Sequence, residues 1–131
     1  ASKRALVAEV LALEPGLIAE VRDAAGPAGV RDVLRSYLEP ARRTEVLDNC
    51  ALAAHPVDVR RSGEGGAYAT HLEGLVAALR AQGVEAALEV AVTVVGAAVL
   101  AGAVEDGGMA DAIEGAAVRR VEGLLGGEVK R

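Results

Sequence analysis

The chain has 131 residues, 52% of them hydrophobic and 25% charged, with net charge −5, no Phe or Trp and one cysteine. That length fits one domain, which can bury roughly two thirds of its unfolded surface without a metal or disulfide staple. The Arg pairs at 42–43, 60–61 and 119–120 sit among acids and only Tyr37 and Tyr68 are aromatic, which argues against a nucleic-acid binder with its basic excess and stacking rings.

Taken in chain order, residues 3–13 place Leu6, Val7, Val10, Leu11 and Leu13 at helical spacing, with Ser2 as a cap and Pro15-Gly16 as a stop. The same opening carries Glu9 and Glu14 where a secretory signal needs an apolar centre. With Cys50 alone ruling out an internal disulfide, a cytoplasmic protein is expected. Residues 16–25 repeat the pattern with Leu17, Ile18 and Val21, ending at Gly26-Pro27. The pentads LVAEV and LIAEV are alike, but two copies do not make a repeat array. A third helix over 28–39 carries Val30, Val33, Leu34, Tyr37 and Leu38 and halts before Pro40, which suits the first turn of the next. On that next helix Val46, Leu47, Cys50 and Leu52 line one face. A polar, Gly-rich stretch, HPVDVRRSGEGG at 55–66, reads as a flexible loop starting near 54.

From Ala67 another amphipathic helix presents Leu72, Leu75, Val76 and Leu79, closed by Gly83. The stretch LEVAVTVVGAAVLAGAV, 88–104, contains one acid and one threonine and is otherwise apolar or glycine. Its first seven residues alternate like a strand. A strand needs a partner, however, and only PVDVRR at 56–61 offers one, too little for a stable sheet. As a helix from Glu85, it aligns Glu85, Glu89, Thr93 and Gly96 on one stripe and is apolar elsewhere, the pattern of a buried central helix. Glu89 and the acids at 105–106 make it a poor membrane span. A last helix over 109–125 turns Ile113, Val118, Val121, Leu124 and Leu125 inward. The predicted fold class is therefore all-α: a single-domain bundle of six to seven helices around a central apolar helix at about 85–104.

Chemistry-bearing residues are sparse. Cys50, His55 and His71, with Asp48 or Glu73, match no zinc-ligand spacing, and a buried thiol with a loop histidine describes them better. SGEGG at 62–66 lacks the Lys-Ser/Thr of a phosphate loop. Glu105-Asp106-Gly107-Gly108 lacks the ligand ladder of a calcium loop and reads as a helix-breaking turn. Glu85 and Glu89, one turn apart, fit a helix-dipole complement better than an acid/base pair. These readings point to a protein that is not an enzyme and holds no cofactor or metal.

One stretch, LRAQGVEAALEVAVTVVGAA at 79–98, resembles the first homology motif and central helix of the B-cell-lymphoma type apoptosis regulators. In that family a helix ends in Leu-x-x-x-Gly-Val and a later apolar helix carries Val-Ala and Gly-x-Ala; Leu79, Gly83, Val84, Val90, Ala91, Gly96 and Ala98 match. The family's Asn-Trp-Gly-Arg, whose Arg pairs with an Asp of the bound death-ligand helix, is replaced by Glu85, Ala86, Ala87 and Leu88. The Ala-x-x-Asp-Gly turn and later Glu of tellurite-resistance B-type helical domains are echoed by Ala103, Asp106, Gly107 and Glu114, one residue out of register. The first resemblance implies a protein-interaction module that takes an amphipathic partner helix into an apolar trough. Leu72, Leu75, Val76, Leu79, Val84 and Leu88 would line that trough, with Arg80 at its rim. The same surface, if self-complementary, would form a homodimer. The alternative is a small-ligand or metal-binding regulator using Glu85, Glu89, His71 or Asp106.

Overall fold

The computed structural model describes residues 16–49, 51–54, 61, 63 and 65–126. The helices read at 3–13 and the positions of Cys50 and His55 lie outside them. In chain order the helices are α1 (Gly16–Arg22), α2 (Gly26–Tyr37), a 3-10 turn (Pro40–Arg42), α3 (Arg43–Asn49), α4 (Ala51–Ala54), α5 (Gly65–Ala81), α6 (Ala87–Ala103) and α7 (Gly107–Gly126). No strand occurs among the described residues, so the protein is all-α and LEVAVTV is helical. The alternation that mimicked a strand lacks a pairing edge, and in its place α6 packs against α3, α4, α5 and most extensively α7. No described helix is long and apolar enough to cross a membrane.

Local sequence sets the boundaries. Gly26 takes φ +72°, which L side chains rarely adopt, and Pro27 then starts α2 where its missing N–H costs nothing. Pro40 opens a 3-10 turn that leads straight into α3, so the first turn of the helix expected there is wound more tightly than an α-helix. α5 begins at Gly65, two residues before the expected Ala67, so the last glycines of the loop read at 54–66 belong to a helix. At its other end the Gly83 N–H donates to Arg80 O (3.0 Å) and the Val84 N–H to Leu79 O (3.1 Å), with Gly83 at φ +88°. This is a Schellman cap, and its characteristic apolar contact pairs two buried residues, Leu79 and Val84. Asp106 caps α7, its Oδ1 accepting from the N–H groups of Gly108 (2.8 Å) and Met109 (3.2 Å). The acidic Gly-Gly segment is thus a helix-starting turn.

The core is aliphatic and fine-grained. α6 contributes Ala87, Val90, Ala91, Val94, Ala97, Ala98 and Ala101, against Ala110, Ala117, Val121 and Leu125 of α7. Alanines on both helices let the backbones approach closely, which makes up in dispersion contacts for the missing aromatic volume. Around this pair sit Leu17, Ile18 and Val21, then Val30, Leu34 and Tyr37, then Leu75, Leu79 and Val84. Gln82 ties α5 to the α1–α2 turn: its Nε2 donates to Arg22 O (2.8 Å) and its Oε1 accepts from Gly26 N–H (2.9 Å). The Tyr68 hydroxyl donates to Leu52 O, linking α5 to α4.

Candidate functional site

The residues expected to line a trough divide into two groups. Leu75, Val76, Leu79 and Val84 are buried members of the core cluster, and Leu72 packs half-buried against it. They meet one another and the neighbouring helices, as an amphipathic stripe generally does. Arg80 is exposed on the last turn of α5, and Leu88 stands 50% exposed on the first turn of α6. Of the expected contact set, only Leu88 is a large apolar side chain held out in solvent.

Leu88 begins a longer feature. Val92 is 59% and Leu100 57% exposed on the same helix. With Gly96 between them they fall at 88, 92, 96 and 100, a strict fourfold spacing that follows one inclined row along an α-helix. A Cβ at Gly96 would meet nothing within 4 Å, so the row has an open notch at its middle. Val95 and Val99 flank it, half-buried. Met109, 54% exposed, follows on the first turn of α7. α6 is therefore not enclosed all round: one face packs on the bundle and the opposite face presents large aliphatic residues to water. The physical reason is thickness, because the bundle packs helices against one side of α6 and leaves the other at the surface.

Carboxylates frame this face. Glu85 and Glu89 are exposed at its start and Glu105 and Asp106 beyond its end. Glu85, Glu89 and Glu105 form no ion pair among the described residues. No Lys or Arg occurs in the sequence between Arg80 and Arg119. The Thr93 hydroxyl on this helix is already satisfied by Glu89 O at 2.7 Å.

The other polar clusters are occupied in holding the fold. Arg43 makes a two-pronged contact with the buried Glu114 (Nε–Oε2 2.9 Å, Nη2–Oε1 2.7 Å) and reaches Asp111 at 2.7 Å. These hydrogen bonds, Glu114's first, hold the guanidinium above its already high ordinary pKa, so it stays charged. Arg42 is likewise raised, by its hydrogen bond to Glu45, and also donates to Ser36 Oγ at 2.7 Å. The Arg pair at 42–43 thus serves the bundle. A cleft of about 530 Å³ bordered by α2 and α7 carries Arg35, Glu39, Glu114, Val118, Arg119 and Glu122. Charges of both signs alternate there, and Arg35 already pairs with Glu122 at 3.3 Å, so no single ligand charge is selected. No group of three His, Cys, Asp or Glu side chains disposed to hold a metal occurs among the described residues. His71 is half-buried, and Glu85 and Glu89 lie in solvent.

Sequence reading reached Leu88 but missed Val92, Leu100 and Met109, because an apolar helix with little amphipathic contrast does not reveal which side faces out. The available signal was side-chain size: the buried side of α6 is mostly alanine, while Leu88, Val92 and Leu100 lie opposite, near the stripe marked by Glu85 and Glu89. Compared with known proteins, the chain matches no family model, no curated protein and no solved structure.

Proposed function

We propose that this chain is a non-enzymatic interaction module that holds an amphipathic partner helix against the outer face of α6. The observation that carries the proposal is the row Leu88, Val92 and Leu100, each at least half exposed, on a helix that already fills the centre of the bundle with its other side. Large aliphatic side chains held out on one helix face are what an apolar stripe of a docked helix requires. A helix laid along it would anchor at fourfold spacing, with Gly96 admitting one large side chain close to the α6 backbone. In this reading Leu75, Leu79 and Val84 support the α5–α6 corner from beneath, and Leu72 and Arg80 border it.

The resemblance of residues 79–98 to apoptosis regulators supports a helix-binding role in general. Its Leu79, Gly83 and Val84, however, are the residues a Schellman cap requires in any helical protein. Lacking the Asn-Trp-Gly-Arg element, the module is expected to bind death-ligand helices no better than other amphipathic helices. A single cysteine is consistent with work in the cytoplasm.

The test is a titration of the full chain with a panel of amphipathic helical peptides, death-ligand helices among them, read by fluorescence anisotropy. Leu88→Glu and Val92→Glu should each weaken binding by about tenfold or more while the circular dichroism spectrum stays helical. Leu79→Glu is the folding control, since its charge would be buried and the helical signal should fall. Binding that persists unchanged in the Leu88→Glu/Val92→Glu double variant would overturn the assignment of this face.

A further inference from the structure

The charges around the α6 face select among its occupants. Resting on the reading that this face docks a helix, we infer that the partner is a cationic amphipathic helix, with basic residues flanking its apolar anchors at both ends. The apolar row runs twelve residues, about 18 Å along the helix axis. Exposed carboxylates stand at both of its ends: Glu85 before it and Glu89 beside its first residue, Glu105 and Asp106 after it. Among the described residues none of Glu85, Glu89 and Glu105 is neutralised by a cation.

A second copy is the poorer occupant. Laid antiparallel, it would bring Glu85 and Glu89 of one chain toward Glu105 and Asp106 of the other. Laid parallel, it would stack each acidic cluster on its own counterpart. Both arrangements oppose like charges across an interface, which costs affinity and slows encounter. An anionic lipid surface meets the same repulsion. A helix carrying Lys or Arg on each side of its anchors instead gains attraction at both ends and is steered onto the face as it approaches. Complementary spacing requires about 18–20 helical residues, with leucine-sized anchors at i, i+4 and i+12 and a bulkier one at i+8 to fill the notch left by Gly96.

The experiment uses two designed peptides of about 20 residues, a length that spans the face. They share one apolar stripe and differ only in having Lys or Glu at the flanking positions. Each is titrated against the full chain and against Glu85→Gln/Glu89→Gln/Glu105→Gln, which touches only exposed residues and leaves the Asp106 cap intact. A benzophenone photo-crosslinker replacing the Val92 side chain reports what sits on the face. The Lys peptide should bind at least about tenfold more tightly than the Glu peptide, lose most of that preference on the triple variant, and cross-link at position 92. Equal binding of both peptides at position 92 would keep the docking face and overturn its charge selectivity. Binding of either peptide with no cross-link at position 92 would overturn the face itself. Cross-linking of position 92 to a second copy, or to residues 1–13 of the same chain, with neither peptide bound, would overturn the partner in favour of that occupant. No peptide binding and no cross-link would overturn both readings.

Discussion

At the scale of single residues, the most exacting demand in the bundle is Glu114, a carboxylate only 4% exposed on the otherwise apolar inner side of α7. Its charge is tolerable because Arg43 arrives from the start of α3 with two parallel hydrogen bonds and a third to Asp111. A planar guanidinium is matched to this task, and an ammonium is not. Arg43→Lys is therefore expected to lower stability and Arg43→Ala to lower it further, because each leaves more of a buried carboxylate unsatisfied. Arg43→Ala/Glu114→Leu should recover much of the loss, since removing both partners leaves no orphaned charge. Urea unfolding midpoints of the four proteins give the order directly. A double variant less stable than Arg43→Ala would show that the pair contributes net stability beyond relieving burial. Nothing in the sequence marked Glu114 as a core residue, because it sits 71 positions from its partner and helical periodicity carries no information about a cation arriving from another helix.

At the scale of elements, the helices were legible wherever capping residues and apolar spacing agreed. Gly26-Pro27, Pro40 and Gly83 all mark boundaries among the described residues. The 3-10 turn at Pro40–Arg42 and the early start of α5 at Gly65 were not legible, since Ala, Gly and Arg permit several local conformations at small cost. At 88–95 the lack of pairing partners favours a helix over a strand, and α6 is helical there. What failed was the inference from apolar all round to buried all round. Two glycines make the distinction between local and tertiary roles measurable. Gly83→Ala should destabilise by about 1–2 kcal/mol, because φ +88° penalises a Cβ even though Pro27 leaves room for it. Gly96→Ala should stabilise by about 0.5–1 kcal/mol, being mid-helix with open space around the new methyl. If a partner seats a large anchor there, Gly96→Ala should also weaken peptide binding several-fold, so that stability and affinity move in opposite directions. Thermal unfolding and anisotropy on the same samples would show it; a change of both in the same direction would assign Gly96 to the fold alone.

At the scale of the molecule, the bundle combines an apolar face with net charge −5 and an unbroken absence of cations from 81 to 118. Both properties bear on association, and they respond to salt in opposite ways. Docking of a cationic helix is helped by long-range attraction, which screening removes. Self-association through the same face is hindered by repulsion between carboxylate frames, and screening relieves it. Raising the salt from about 0.05 M to about 0.5 M shortens the Debye length from roughly 14 Å to about 4 Å, less than the separation of most exposed charges. Across that range the Lys-flanked peptide should lose about tenfold in affinity, while any dimer of the free chain should become more populated. Sedimentation equilibrium and anisotropy on one preparation would record both trends. The Glu85→Gln/Glu89→Gln/Glu105→Gln variant should already show the high-salt behaviour at low salt, with weaker discrimination between peptides and a greater tendency to pair. Were the free chain to dimerise more strongly at low salt, attraction rather than repulsion would govern the contact between copies. A surface other than the acid-framed face of α6 would then have to form it.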